Sequence, residues 1–405
     1  MSAFKLGTIP SNGFALPAKM MAVVVRPSRE GPPRDAMQVE EIDLPPEPGP
    51  NEVLVLNVAA GVNYNGVWAA RGKPASVFKM HSHPMHIAGS DSAGIVWRLG
   101  SRVQRWKVGD EVILHCNQSC GQCPECNGFD PMACAQQKIW GYETTWGSFA
   151  QFSLVQAQQL LAKPTHLSWV EAASYGLTYF TAYRMLVSQA GLTAGDNVLI
   201  WGGAGGLGIF AVQLCLLAGA RPIPVVSSRD KGEQLKADFG CNDYLVRTDY
   251  DLAFEPKELA ERTHARLSEM KRFGAAIRAI TGGADPDIVF EHVGQATFPA
   301  SVFVAKRFGK IVICGATTGF DLTYDVRHLW LRQKQIIGSH FCNGFQAERA
   351  NRLVMDQKIR PVISKVFPLG LTGEAHAQMA ANQHYGKMAI AIHCSPEIDT
   401  RRPFQ

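Results

Sequence analysis

Two patterns in this 405-residue chain have spacings that could do chemistry: Gly203-x-Gly205-x-x-Gly208 and Cys120-x2-Cys123-x2-Cys126-x7-Cys134. The glycines follow the apolar run Asn197-Val-Leu-Ile200 and precede the apolar run Ile209 to Leu217. That order reads as strand, tight turn and helix. Such a turn lets a pyrophosphate approach the backbone at Gly203, Gly205, Gly206, Leu207 and Gly208, where free N–H groups and the positive end of the helix hold the anion. A second apolar strand, Pro222 to Val226, ends in Ser227-Ser228-Arg229-Asp230-Lys231. An NAD enzyme usually carries an acidic residue there for the ribose 2′-OH. Here the first acid comes late and between two cations. Ser227, Ser228, Arg229 and Lys231 suit a 2′-phosphate, which favours NADPH. The same residues also suit a solvated helix start with Ser as N-cap, and the two roles are compatible.

Four thiolates on one short loop can close a tetrahedral Zn²⁺ site through Cys120, Cys123, Cys126 and Cys134. A site closed by four sulfurs has no open position, so its role would be structural. The alternative is a set of reduced loop thiols without metal. Cys116 lies near enough to be a spare ligand, and the other five of the ten cysteines sit in apolar segments that suit core packing. The first residues lack the charged-then-apolar plan of a secretory leader. Ten cysteines without such a leader point to a reducing cytoplasm rather than a disulfide scaffold.

The elements that must hold these groups fall into blocks. Residues 1–19 are irregular and are expected to form a loose arm. From Met20 to about Val155 come short β segments: Met21–Val25, Val53–Val58, Gly94–Trp97 and Glu111–Leu114. They define a β-rich domain over 20–173, with the cysteine lobe at 116–134. Over 174–340 strands alternate with helices. The strands are Val198–Ile200, Ile223–Val226, Tyr244–Val246, Ile288–Phe290, Ile311–Cys314 and Gln335–Gly338. Six strands so connected predict an α/β, doubly wound parallel sheet. Pro256 to Thr281 reads as a charged surface helix, and residues 341–405 as a return to the first domain. Hydrophobic residues make up 46% of the chain and charged residues 19%, an ordinary globular composition. The net charge of +5 suits an anionic small molecule such as a nucleotide or CoA. No Lys/Arg block points to nucleic acid, and no apolar run reaches membrane-spanning length.

The two-domain order, the glycine turn and the cysteine lobe resemble the zinc-containing alcohol dehydrogenase superfamily, the medium-chain dehydrogenase/reductases. The resemblance narrows to crotonyl-CoA carboxylase/reductases through Ala60–Trp68, His86–Gly94, Ile139–Glu143, Gly147–Gln151, Asp287–His292 and Gly338–Phe341. It implies a GroES-like catalytic domain beside a Rossmann NADPH domain. It also shows what is missing. Where the superfamily holds a catalytic zinc, this chain has Asn63, Gly89-Ser90-Asp91 and the cysteine-free Ala172–Thr178. That suits enoyl-thioester reduction, in which the thioester accepts charge as an enolate.

By this resemblance the chain would reduce and carboxylate an α,β-unsaturated acyl-CoA, crotonyl-CoA-like, to an alkylmalonyl-CoA such as ethylmalonyl-CoA. Asn65 matches the amide that anchors CO2, Glu143 and His340 the pair that holds a water against it, and Tyr142 a ring that shields the pocket. Arg327, in a CoA-contacting stretch, would meet a CoA phosphate. Each has a plainer reading: Asn65 caps a turn, Glu143 is a surface carboxylate, His340 a satisfied strand-end histidine, Arg327 a solvated helix start. Many family members lack the cysteine lobe, so its retention here puts the acyl chain in doubt. The rival activities are an acrylyl-CoA-type reductase that only protonates the enolate and a quinone or alkenal reductase without a CoA site. A non-enzymatic NADPH-binding protein is a further rival. By analogy the chain would be a homo-oligomer, a dimer or tetramer, with no membrane or nucleic-acid partner.

Overall fold

The computed structural model describes residues 3–252 and 263–396. The chain divides into two compact units, Met1–Phe180 with Cys342–Gln405, and Thr181–Phe341.

The first unit is built on a seven-stranded sheet. Its central strand, Glu52–Gly61, is buried from Val53 onward because Val-Leu-Val-Leu offers an apolar side chain to both faces. It pairs antiparallel with Ser92–Leu99, Phe152–Gln156 and Lys387–Ala391. The last pairing is the physical form of the expected return of the chain's tail. Helix α1, Tyr64–Arg71, follows the central strand and ends at Gly72 in the left-handed conformation. The loose arm expected over residues 1–19 is a correction. From Phe4 on, this segment is irregular but fastened. Phe4 and Phe14 pack on Trp97 with ring centroids 5.9 and 4.8 Å away. Gly7 N donates to Ile392 O at 2.8 Å, and Gln151 Nε2 to Phe4 O at 2.8 Å. Two large apolar rings among the Gly, Pro and Ser residues outweigh the loop-like composition around them.

The second unit holds six parallel strands: β1 Asn197–Trp201, β2 Arg221–Val226, β3 Leu245–Val246, β4 Ile288–Glu291, β5 Lys310–Ile313 and β6 Gln335–Gly338. Their order across the sheet is β3-β2-β1-β4-β5-β6. This is the doubly wound dinucleotide order, with its reversal between β1 and β4. Helix α2, Gly208–Leu217, leaves β1, and helix α3, Arg229–Phe239, leaves β2. A further helix covers Thr263–Thr281, and residues 256–262 of the expected surface helix lie outside the described residues. That helix is not wholly a surface element. Phe273 and Ile277, one turn apart on one face, are fully buried, and Phe273 stacks on Trp201 at 5.4 Å.

Candidate functional site

In the second unit the glycine turn has the close packing that its sequence anticipates. A Cβ on Gly208 would lie 2.2 Å from Gly202 O, so α2 starts against the strand end only because that side chain is missing. A Cβ on Gly203 would meet Pro224 of β2 at 2.3 Å. Beyond β2, Ser228 is the N-cap of α3, accepting from Lys231 N at 3.5 Å, so the capping reading of that serine is real. Arg229 is largely exposed and pairs with Asp249 at 3.2 Å. Burial lowers the pKa of Lys231. At the end of β4, buried Glu291 accepts from Ser301 Oγ at 2.7 Å, Val293 N at 2.7 Å and Thr297 Oγ1 at 3.0 Å. Ser301 Oγ in turn accepts from Trp201 Nε1 at 2.7 Å. His292 Nε2 faces Trp201 O at 2.9 Å, which makes it the protonated nitrogen, since a carbonyl only accepts. This network ties the ends of β1 and β4 together.

Two other expected site residues lie in the same unit. His340 stands two residues beyond β6. Desolvation of the ring, then the charge of Arg184, lowers its pKa, although much of the side chain's surface is exposed. Arg327 opens the four-residue helix Arg327–Trp330, and its fork is engaged by Asp325, with Nη2 to Oδ2 at 2.6 Å. The pair is exposed and screened by solvent, so Asp325 is a weak competitor for a phosphate dianion at this fork.

In the first unit three loops converge. Asn65 lies in the first turn of α1 and its Nδ2 donates to Ser90 Oγ at 2.6 Å. Ser90 Oγ passes its own proton to Trp140 O at 2.6 Å. Because Ser90 donates elsewhere, it must accept from Asn65, which fixes the amide's orientation. Asn65 Oδ1 is then buried with no protein donor. Leaving such an acceptor unmet costs about 1–3 kcal/mol, so it is a place where a bound hydrogen-bond donor gains. Trp140 begins the turn that carries the next two residues. Tyr142 is buried and donates its hydroxyl to Lys73 O at 2.8 Å. Burial, helped by Glu143, pushes its pKa up to about 12, so it stays neutral. Glu143 is half-buried, and its Oε2 accepts from Ile139 N at 2.6 Å, which clamps the carboxylate to its own turn. Asn65 is thus joined through Ser90 to Trp140, two residues before Tyr142 and three before Glu143, within one unit, while His340 belongs to the other.

Behind Ser90 is a buried cluster that sequence reasoning missed. Lys387 Nζ donates to Val62 O at 3.0 Å and to Asn63 Oδ1, and lies 3.5 Å from Asp91 Oδ2. Asp91 also accepts from Asn63 Nδ2 at 2.7 Å and from Leu177 N at 2.5 Å. Burial pushes the Asp91 carboxyl up and the Lys387 ammonium down, each against the other's charge. Asn63, Asp91 and Leu177 come from the three segments where the resemblance places the missing zinc ligands. Lys387 follows Asn63 by more than 300 residues in an ordinary strand, so no local pattern flags it.

The four lobe cysteines do assemble. Their sulfurs all lie within 4.8 Å of one another, with Cys123–Cys126 at 3.5 Å and Cys120–Cys126 at 3.9 Å. Zinc held at about 2.3 Å from each sulfur needs sulfurs about 3.8 Å apart, so the set fits that ion with little movement. Cys116 is buried outside this group, with its thiol raised by burial, so it is not a spare ligand here. Among the described residues no helix is long and apolar enough to cross a membrane.

Comparison with known proteins accords with this architecture. The alcohol dehydrogenase GroES-like domain matches residues 49–165, and the zinc-binding dehydrogenase domain matches residues 206–356. Fold and domains together define a medium-chain dehydrogenase/reductase. A crotonyl-CoA carboxylase/reductase of Cereibacter sphaeroides is 49% identical over 96% of this chain and 91% of its own. A solved crotonyl-CoA carboxylase/reductase superposes with a TM-score of 0.91 at 50% identity, covering 99% of this chain and 94% of its own. A 2-octenoyl-CoA carboxylase reductase, solved with NADP and 2-octenoyl-CoA, gives 0.88 at 36% identity, covering 95% and 90%. The chain belongs to the crotonyl-CoA carboxylase/reductase family.

Proposed function

We propose that this protein is an NADPH-dependent enoyl-CoA carboxylase/reductase. The observation that carries this reading is the 49% identity to a crotonyl-CoA carboxylase/reductase across 96% of the chain. The Asn65–Ser90–Trp140 chain supports it with an amide of fixed orientation whose Nδ2 has a second N–H beyond the one given to Ser90.

The turn at Gly203–Gly208 and the start of α2 would hold the pyrophosphate, and Ser227, Ser228, Arg229 and Lys231 the 2′-phosphate. NADPH, when bound, supplies a hydride to the β-carbon of the enoyl thioester. Asn65 anchors CO2 by its amide, and Glu143 and His340 orient a water that supports the carboxylate charge as it develops. Tyr142, neutral and buried, keeps bulk water from protonating the enolate first. Arg327 meets a CoA phosphate. Cys120, Cys123, Cys126 and Cys134 hold a structural zinc, which suits the reducing cytoplasm. The protein works as a homo-oligomer. The plain reductase is the alternative, since hydride transfer does not need Asn65, Glu143 or His340.

Asn65→Leu tests the assignment. NADPH oxidation should persist at reduced rate while the carboxylated share of product falls. Losing one charge-supporting hydrogen bond costs about 2.7–4 kcal/mol in well-studied oxyanion sites, ample to switch the partition. A wild-type enzyme that never incorporates labelled carbonate would leave the plain reductase as the reading.

A further inference from the structure

Every polar side-chain atom of the Lys387–Asn63–Asp91 cluster has a hydrogen-bond partner. The ammonium has three donors and faces three acceptors, Val62 O, Asn63 Oδ1 and Asp91 Oδ2. Asn63 stands with a donor-only cation on one side of its amide and an acceptor-only anion on the other, so the amide has one allowed orientation. Lys387, Asn63 and Asp91 are each at most 3% exposed, so water cannot substitute for any of these bonds. Backbone bonds run beside them: Val62 N donates to Met388 O at 3.0 Å, and Gly61 N to Asp91 O at 3.1 Å.

The place of this cluster gives it a use. Asn63 is the residue just before α1, and its side chain makes no bond to the helix it precedes. A residue with that backbone and that side chain would ordinarily cap the helix. Here the amide is drawn away to the ion pair instead. Asn63 lies two residues before Asn65, and Asp91 one residue after Ser90. The cluster therefore grips both backbone segments that bring Asn65 Nδ2 and Ser90 Oγ to 2.6 Å.

We propose that Lys387 is a positioning residue. Its ammonium, through Asn63 and Asp91, sets the placement of the Asn63–Asn65 turn against the Gly89–Asp91 loop, and so aims the Asn65 amide. This rests on the carboxylase reading for its bearing on product, but the positioning itself is a statement about structure.

Lys387→Met alone would strand the Asp91 charge and destabilise the fold. The test therefore uses Lys387→Met with Asp91→Asn, with Lys387→Gln/Asp91→Asn as a second folded background. Crystal structures of these variants and the wild type are compared, and products are analysed with labelled bicarbonate and crotonyl-CoA. The expected result has two parts. The melting temperature stays near that of the wild type while the Asn65–Ser90 contact is lost. The ratio of carboxylated to protonated product then falls roughly tenfold, the effect of one misplaced hydrogen bond, with the KM for NADPH unchanged. A purely structural role would move stability and leave that ratio alone. Asn65 found in its wild-type place in a folded variant overturns the proposal, and so does an unmoved ratio where the wild type carboxylates. Asn65 displaced in a background whose wild type incorporates no carbonate upholds the positioning and overturns the carboxylase reading instead.

Discussion

The 2′-phosphate site proposed above rests on single side chains, and Arg229 is the one whose loss is cleanest. Its partner Asp249 is itself largely exposed, so Arg229→Ala strands no buried charge. A hydrogen bond to a charged group contributes about 1.5–3 kcal/mol, so the NADPH Michaelis constant should rise roughly 10–100-fold. The NADH constant should hardly move, because NADH has no phosphate at that position. Steady-state kinetics with both cofactors decide it, and equal effects would remove Arg229 from the site. The same residues show what could be read before the structure. Ser228 as N-cap and Gly208 as a close approach follow from local chemistry that repeats in any chain. Lys387 and the unmet Asn65 oxygen follow from neighbours hundreds of residues away or from a loop 25 residues on, and no local pattern encodes them.

Strands and lobes carry the next level. All six strands of the parallel sheet were legible: five are buried apolar runs bounded by turns, and the sixth, Gln335–Gly338, is mostly exposed but still carries an Ile-Ile pair. The arm was misread because composition says nothing of where Phe4 and Phe14 point. Two consequences belong to this scale. Helix α1 presses its Gly66 on buried His376, and a Cβ at Gly66 would lie 2.3 Å from His376 Nε2. Gly66→Ala should therefore destabilise the first unit by about 1–3 kcal/mol, as overpacking does, and should disturb Asn65 beside it. Thermal melts would show this, and an unchanged transition would mean that the helix has room to shift. The cysteine lobe should bind about one zinc per chain, as metal analysis can measure. Cys123→Ser should lose that zinc and lower the melting temperature, while hydride transfer in the folded fraction is kept. A metal-free wild type of full stability would refute the structural role.

Acid stability is a property of the whole molecule, and its sign follows from buried imidazoles. Burial lowers His86 to about 3, and His115 and His376 to about 4, below the ordinary 6.5. The folded state thus keeps them neutral where the unfolded chain protonates them. Their contribution is fully present above about pH 6.5 and is lost as pH falls, at up to ~1.4 kcal/mol per pH unit for each site. Asp91 and Glu291, raised by burial, work the other way in the carboxylate range. Calorimetry should show the melting temperature falling steadily from pH 6.5 to 4.5. A flat profile over that interval would mean that these rings find proton acceptors on folding.

The pairing of Ala389–Ala391 with Ala59–Gly61 also orders events in time. A ribosome emits residue 61 long before residue 389, and at roughly 5–20 residues per second the delay is on the order of tens of seconds. Throughout that interval the strand at Glu52–Gly61, all but one of its residues buried in the finished protein, lacks one of its neighbours. The arm waits as well, since Gly7 and Thr8 bond to Ile392 and His393. Thr181–Phe341 is contiguous in sequence, so all of it has emerged before residue 342. The half of the molecule translated first is therefore the last to be finished.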